Sequence, residues 1–239
     1  MMQVELYLIE AVDRVLSSMS QKSSNKARSF LEKMGVHVLT NTMATSCDDK
    51  TVFIDSGKSL NTGIIIWTAG IKGNSTVGLA AECFSRNGRI IVESYNRVSG
   101  YSNIYALGDI ALQTEEKYPQ GHPQVAQVAI QQAQFLAENL ERIKSNKPLR
   151  EFRYKDLGTM ATVGRHLVVV ELPSLRFQGV FAWFIWMFIH LMSIIGVKNK
   201  LMIFMNWAWK YFTYDQSTRL IIRPKGCADI STNNYSIPE

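Results

Sequence analysis

Short apolar runs alternate with polar stretches up to Leu107, and beyond Pro123 the period of the pattern changes. Val4 to Ile9 reads Val-Glu-Leu-Tyr-Leu-Ile, a buried strand with Glu10 at its carboxyl end. Ser24 to Met34 carries helical periodicity and stops at Gly35. Val36 to Leu39 and Thr51 to Ile54 read as strands with a polar turn between them. Asp55 to Asn61 reads as a turn, and Gly63 to Trp67 as another buried strand ending in Thr68-Ala69-Gly70. Arg89 to Val92 and Ile104 to Leu107 are the next strands, the second running into Gly108-Asp109.

After a loop from Thr114 to His122, Pro123 opens a long helix through about Ile143, since proline suits a first turn. Its expected apolar side is Val125, Val128, Ala129, Leu136, Leu140 and Ile143. Strand-like segments follow around Gly158 and Gly164. From Val180 to Val197 there are 18 residues without a Lys, Arg, Asp or Glu, and from Leu201 to Phe212 Lys210 is the only charge.

Strand, helix, strand, hairpin, strand is the back half of a nucleotide-binding α/β unit. The front half needs a Gly-x-Gly-x-x-Gly turn whose backbone cradles phosphate at a helix start, and no such fingerprint occurs in the chain.

Composition narrows the partners. Net charge is +6, and Glu141 to Lys210 holds 11 Lys/Arg against 4 Asp/Glu. A basic zone beside an apolar run suits an anionic membrane surface, and an ordinary solvated face gives the same letters. No helix has the dense basic run of a nucleic-acid reader. Cys47, Cys83 and Cys227 lack metal or redox spacing, and His37, His122, His166 and His190 lack ligand spacing, so no metal site is expected. The apolar tail allows a short membrane span, a hydrophobic core or dimer interface, or helices lying in the headgroup plane. Trp207, Trp209 and Lys210 favour the last, monotopic reading, with dimerisation compatible.

The candidate chemistry sits at strand ends and at one helix start. Gly108 lets a ligand approach the backbone, and Asp109 offers a carboxylate to its hydroxyls; a plain turn reads the same. A helix opening within His122-Pro123-Gln124-Val125-Ala126-Gln127 aims backbone N–H groups and its positive dipole end at whatever lies above. Gln127 is placed to hydrogen-bond a ring or a quinone head group, with Gln131 one turn further on the same face. Glu10 is placed to bind both hydroxyls of an adenosine ribose, or is a surface glutamate before a helix. Ala69 and Gly70 allow a cofactor close to the backbone, or simply make a tight turn.

Trp67-Thr68-Ala69-Gly70, Asn87-Gly88-Arg89-Ile90, Asn103 through Asp109, Pro123 through Ala133 and the tail ending in Trp207-Ala208-Trp209-Lys210-Tyr211-Phe212 together resemble the type II NADH:quinone oxidoreductases. The resemblance covers the chain but only the second half of a family member. It implies an α/β, partial two-dinucleotide-binding, Rossmann-like flavoprotein fold with a carboxyl-terminal membrane-associating helical region. It implies three segments: residues 1–73 completing an NADH-binding domain, 74–172 completing an FAD-binding domain, and 173–239 for membrane anchoring and dimerisation. FAD would be contacted by Gly108, Asp109, Ala126 and Gln127, and NADH by Glu10, Ala69 and Gly70. Gln127 and Gln131 would lie where flavin meets quinone, and Ile130 stands where some members have a histidine. The implied reaction passes electrons from NADH through FAD to a quinone. It implies a homodimer on the cytoplasmic face of the inner (cell) membrane. With the glycine turns absent, the chain alone is expected to hold FAD weakly. The alternative is an inactive fragment that only binds membrane or dimerises. A soluble disulfide reductase shares the Gly-Asp strand, but the tail argues against it.

Overall fold

The computed structural model describes residues 4–48, 50–74, 76–164, 166–193 and 196–213. Cys227, counted above among the thiols, lies outside the described residues. The chain divides into two compact units: Met1–Ile66 with Gly158–Glu239, and Trp67–Leu157. These units follow packing, a different division from the three functional segments expected from the sequence.

In the first unit, β1 (Leu6–Ile9) pairs in parallel with β2 (Val36–Leu39), Leu6 opposite Val36 and Ile9 opposite Leu39. The crossover is α1 (Gln21–Lys33). It begins three residues before the expected Ser24 because Ser20 caps it, accepting the Ser23 N–H at 3.4 Å. Its first turn is polar, which hides the start from a hydrophobic pattern. The helix ends at Gly35, as expected, with φ at 82°.

The polar stretch before Thr51 is more than a turn. β3 (Ala44–Cys47), β4 (Thr51–Ile54) and β5 (Ser59–Asn61) form an antiparallel sheet in that order. The outer strands are mostly polar and exposed, so alternation does not announce them. Gly63 to Trp67, by contrast, is not a strand. Ile64 and Ile66 are each 80% exposed and Trp67 54%. A strand is buried by its neighbours, and among the described residues none pairs with this run.

The same unit closes with β8 (Thr159–Val163), β9 (Leu167–Glu171) and β10 (Arg176–Gly179), an antiparallel meander with β9 central. One face of β9 supplies Val169 to a core shared with Val15, Met19, Ala27, Phe30 and Val38. The other supplies Val168 and Val170, which pack with Ala182 under α3 (Val180–Ser193). Glu171, ending β9, reaches the start of α1. Its carboxylate accepts the Ser20 N–H at 3.1 and 3.2 Å, the Ser20 hydroxyl, and the Ser23 hydroxyl at 2.5 Å. Burial opposes its ionisation, but the Ser20 and Ser23 hydrogen bonds and the Arg176 charge outweigh that. They hold it below the ordinary glutamate value.

Helix α4 (Val197–Thr213) follows α3, and Trp186 stacks on Trp207 between them at 5.8 Å. Phe181, Phe188, Leu201, Met205 and Trp209 are each at least 60% exposed. Among the described residues no helix is long and apolar enough to cross a membrane.

The second unit contains β6 (Ile90–Ile91), β7 (Ala111–Leu112) and α2 (Ala126–Lys144). The parallel pair is β6 with β7, so the strand lies beyond Gly108-Asp109 rather than before it. The expected strand Ile104–Leu107 makes one bridge, Arg97 to Tyr105. Its backbone still bonds the 96–98 segment, but Asn96 turns left-handed (φ 60°) and stops the ladder growing. Gly73 and Gly88 touch backbone to backbone: a Cβ on Gly73 would sit 2.2 Å from the Gly88 carbonyl oxygen.

Candidate functional site

Helix α2 starts later than proline suggests. Pro123 lies outside it, and Val125 is the N-cap. Its buried positions are Val128, Gln132 and Asn139, while Leu140 and Ile143, expected on the apolar side, are nearly half exposed. The reason is the neighbour it packs on. Residues 150–157 run extended alongside, and amide side chains serve as their partners. Asn139 donates to the Arg150 carbonyl and accepts the Arg150 N–H, both at 3.0 Å. Gln131 does the same with Lys155, at 2.9 and 3.0 Å. Gln127 accepts the Leu157 N–H at 3.2 Å. Phe152 and Tyr154 of that segment then pack with Val128. The amide of Gln131, expected near a quinone, is therefore engaged with backbone.

The amino end of α2 is left open by the chain itself. Val125 offers no side-chain cap, and the first turn holds no acid. The positive end of the helix dipole is thus not offset by a carboxylate of that turn. Against this helix lies the 3-10 turn Gly108–Ile110. The Gly108 N–H donates to Gln132 Oε1 at 2.7 Å, and Gln124 Nε2 donates to the Asp109 carbonyl at 3.1 Å. Gly108 has φ 73°, and a Cβ there would lie 3.3 Å from that of Ala129. Glycine therefore answers two demands at once, a left-handed turn and close approach to a helix. With the turn's backbone tied inward, the exposed Asp109 carboxylate is its outward polar group.

Below the turn, Arg89 is buried. One guanidinium nitrogen donates to the Ala111 carbonyl at 2.5 Å and the His122 carbonyl at 3.2 Å. Burial pushes its pKa down, and the nearby Asp109 charge pulls the other way. His122 is 1% exposed, with the rings of Tyr118, Phe152 and Tyr154 centred 5.5–5.6 Å away. Its Nε2 lies 3.3 Å from Glu115. Burial holds it below the ordinary histidine value, Glu115 opposes this, and Arg89 adds to it, so the ring is neutral at pH 7.

Gly108 and Asp109 thus lie against the first turns of α2, through Gln124, Ala129 and Gln132, whereas the Gln127 and Gln131 side chains bond Leu157 and Lys155. Ala69 and Gly70 belong to the same unit but lie in an exposed loop, where the Gly70 N–H bonds the Thr68 carbonyl at 2.8 Å. Glu10 belongs to the other unit. It stands at the carboxyl end of β1, half-buried, accepting the Val12 N–H at 3.2 Å. The residues that sequence reading missed are Arg89, Gln113, Gln124 and Gln132. The available signal was polarity at core spacing: Gln132 and Asn139 fall four and eleven positions after Val128, on one helix face.

Residues 1–133 match the family "Pyridine nucleotide-disulphide oxidoreductase", and residues 157–213 match "NDH2 C-terminal domain". The chain is 32% identical over 218 residues to the type II NADH:quinone oxidoreductase NdhA of Mycobacterium tuberculosis, covering 86% of this chain and 45% of that protein. It is 32% identical over 167 residues to the type II NADH:quinone oxidoreductase of Staphylococcus aureus, covering 69% and 41%. Its fold resembles that of NDH2 from Plasmodium falciparum, solved in complex with NADH, with TM-score 0.77 at 18% identity, covering 88% and 58%. The chain spans about half the length of the curated relatives it matches. The α/β dinucleotide-binding flavoprotein fold expected from the sequence is the one found.

Proposed function

Because the chain belongs to the pyridine nucleotide-disulphide oxidoreductase family, we propose that it forms the carboxyl-terminal part of a type II NADH dehydrogenase, an enzyme carrying electrons from NADH through FAD to a quinone. The observation that carries this reading is the Gly108-Asp109 turn held against the uncapped start of α2. When bound, FAD would supply the redox chemistry between NADH and a quinone. The residues present fit part of such a cofactor. Asp109 would take its hydroxyl groups, and Gly108 would admit it close to the backbone. Ala126 and Gln127 would bring the positive helix end to the flavin edge and favour negative charge there. Glu10, Ala69 and Gly70 would serve NADH, completing the domain assigned to residues 1–73, with 74–172 completing the flavin domain. No phosphate-cradling glycine turn is among these residues. Gln131 would hold residues 153–157 in place beside the quinone rather than touch it.

Residues 173–239 would attach the protein to the cytoplasmic face of the cell membrane and make a homodimer. The exposed aromatics of α3 and α4, with Lys198 and Lys200, support attachment at the interface. The test is a titration of the purified chain with FAD, read by flavin fluorescence, beside liposome flotation. Weak, saturable binding that Asp109→Ala weakens further is expected. Flotation on anionic vesicles is expected to fall several-fold when Phe188 and Trp209 become serine. Binding indifferent to Asp109, or no flotation of the wild type, refutes the corresponding half.

A further inference from the structure

We infer that Gln132 is a positioning residue that fixes the Gly108 amide and so sets how the Asp109 turn faces its ligand, an inference resting on the flavin reading above. Gln132 is 1% exposed and sits where an amphipathic helix would ordinarily put leucine. Its Oε1 accepts the Gly108 N–H at 2.7 Å, one of the shorter hydrogen bonds of this unit. Its Nε2 points to Gln113 Oε1 at 3.5 Å. Gln113, 2% exposed, is fixed in turn: Asn96 Nδ2 donates to it at 3.4 Å, and its own Nε2 donates to the Phe152 carbonyl at 3.4 Å.

This is a chain of three buried amides, Asn96, Gln113 and Gln132, ending on one backbone N–H of the Gly-Asp turn. Burying amides is costly unless they are used, and an apolar core of the same volume would be at least as stable. What the chain supplies is orientation. A glycine at φ 73° is free to choose other conformations, and the bond from its N–H removes that choice. Gln124, bonding the Asp109 carbonyl from the other side, leaves the exposed carboxylate to meet the ligand.

The test uses the full 239-residue chain, labelled with 15N, as wild type, Gln132→Met and Gln132→Glu. In Gln132→Met the Gly108 amide is expected to exchange about tenfold faster, the loss of one ordinary hydrogen bond. The Val98 amide, bonded to the Ile104 carbonyl in the same unit, should stay unchanged. In Gln132→Glu the acceptor is kept, so protection should return, and the Gly108 resonance should titrate with the new carboxyl group. FAD affinity should fall about tenfold in the Met variant and recover in the Glu variant. Equal acceleration at Gly108 and Val98 would mean Gln132 only stabilises the unit and overturns the inference. So would faster Gly108 exchange with unchanged FAD affinity. A wild-type chain that takes up no FAD defeats the flavin reading instead, while the exchange rates still decide whether Gln132 places Gly108.

Discussion

Replacing Glu171 should loosen the first unit by removing the link between β9 and the start of α1. The carboxylate takes the Ser20 N–H and the hydroxyls of Ser20 and Ser23, and Ser23 is fully buried. Hydrogen bonds to a charged group are worth about 1.5–3 kcal/mol net. A negative charge at a helix start adds about 0.3–1 kcal/mol. Arg176, 3.9 Å away and 60% exposed, adds little. Glu171→Ala also strands a buried serine hydroxyl, so a loss of about 2–4 kcal/mol is expected in urea denaturation at pH 7. Glu171→Gln keeps an acceptor but no charge and should lose about half as much. The sign with pH follows from the depressed folded value. The charge's contribution is complete above the unfolded glutamate pKa of about 4.3 and disappears as pH falls through the lower folded value. The gap between wild type and Glu171→Gln should therefore be constant from pH 8 to about 5 and close below it. A loss under about 0.5 kcal/mol for the alanine variant, or a gap that does not narrow as pH falls below about 4.3, would refute the link.

Other predictions concern the second unit. His122 is held neutral by burial, so its contribution is whole above the unfolded histidine pKa of about 6.5 and shrinks as pH falls toward the lower folded value. His122→Phe should flatten the stability of this unit between pH 7.5 and 5, measured by urea denaturation; an unaltered slope would count against it. Gly73→Ala drives a methyl into the Gly88 carbonyl and should destabilise the unit by at least about 1–3 kcal/mol, whereas Gly63→Ala, which meets nothing within 4 Å, should cost little. A Gly73→Ala melting temperature equal to the wild type's would show that the two backbones do not touch.

The parts of the fold legible in the sequence are those whose letters report their own surroundings. Gln21–Lys33 and Val36–Leu39 are found by pattern because their apolar faces meet in one core; Leu6–Ile9 is found as a strand and gives Leu8 to that core, but Leu6 and Tyr7, expected to be buried, are exposed. Ala44–Cys47 and Ser59–Asn61 escape because exposed outer strands need no apolar face. Gly63–Trp67 misleads for the opposite reason, since an apolar run shows a capacity for burial without supplying the neighbour. At the site, Gly108 and Asp109 stand out as letters, and Gln127 as part of a helix start. Gln132, Gln113 and Asn96 do not, because a buried amide is readable only from its partner. Here the partners lie 17 to 39 positions away. Arg89 hides likewise: an arginine beside a strand reads as surface until its carbonyl acceptors are known.

The division of the chain has a consequence for synthesis. Val15, Met19, Ala27, Phe30 and Val38 complete their core only with Val163 and Val169, and residues 67–157 emerge in between. At translation rates of about 5–20 residues per second, that wait is on the order of 5–20 s. The intervening unit is contiguous and can fold during it. The opening βαβ element cannot finish, so its apolar helix face is a substrate for chaperones and proteases for that interval. A ribosome pause within residues 67–157 should cost yield, whereas one after the carboxyl-terminal meander has emerged should not.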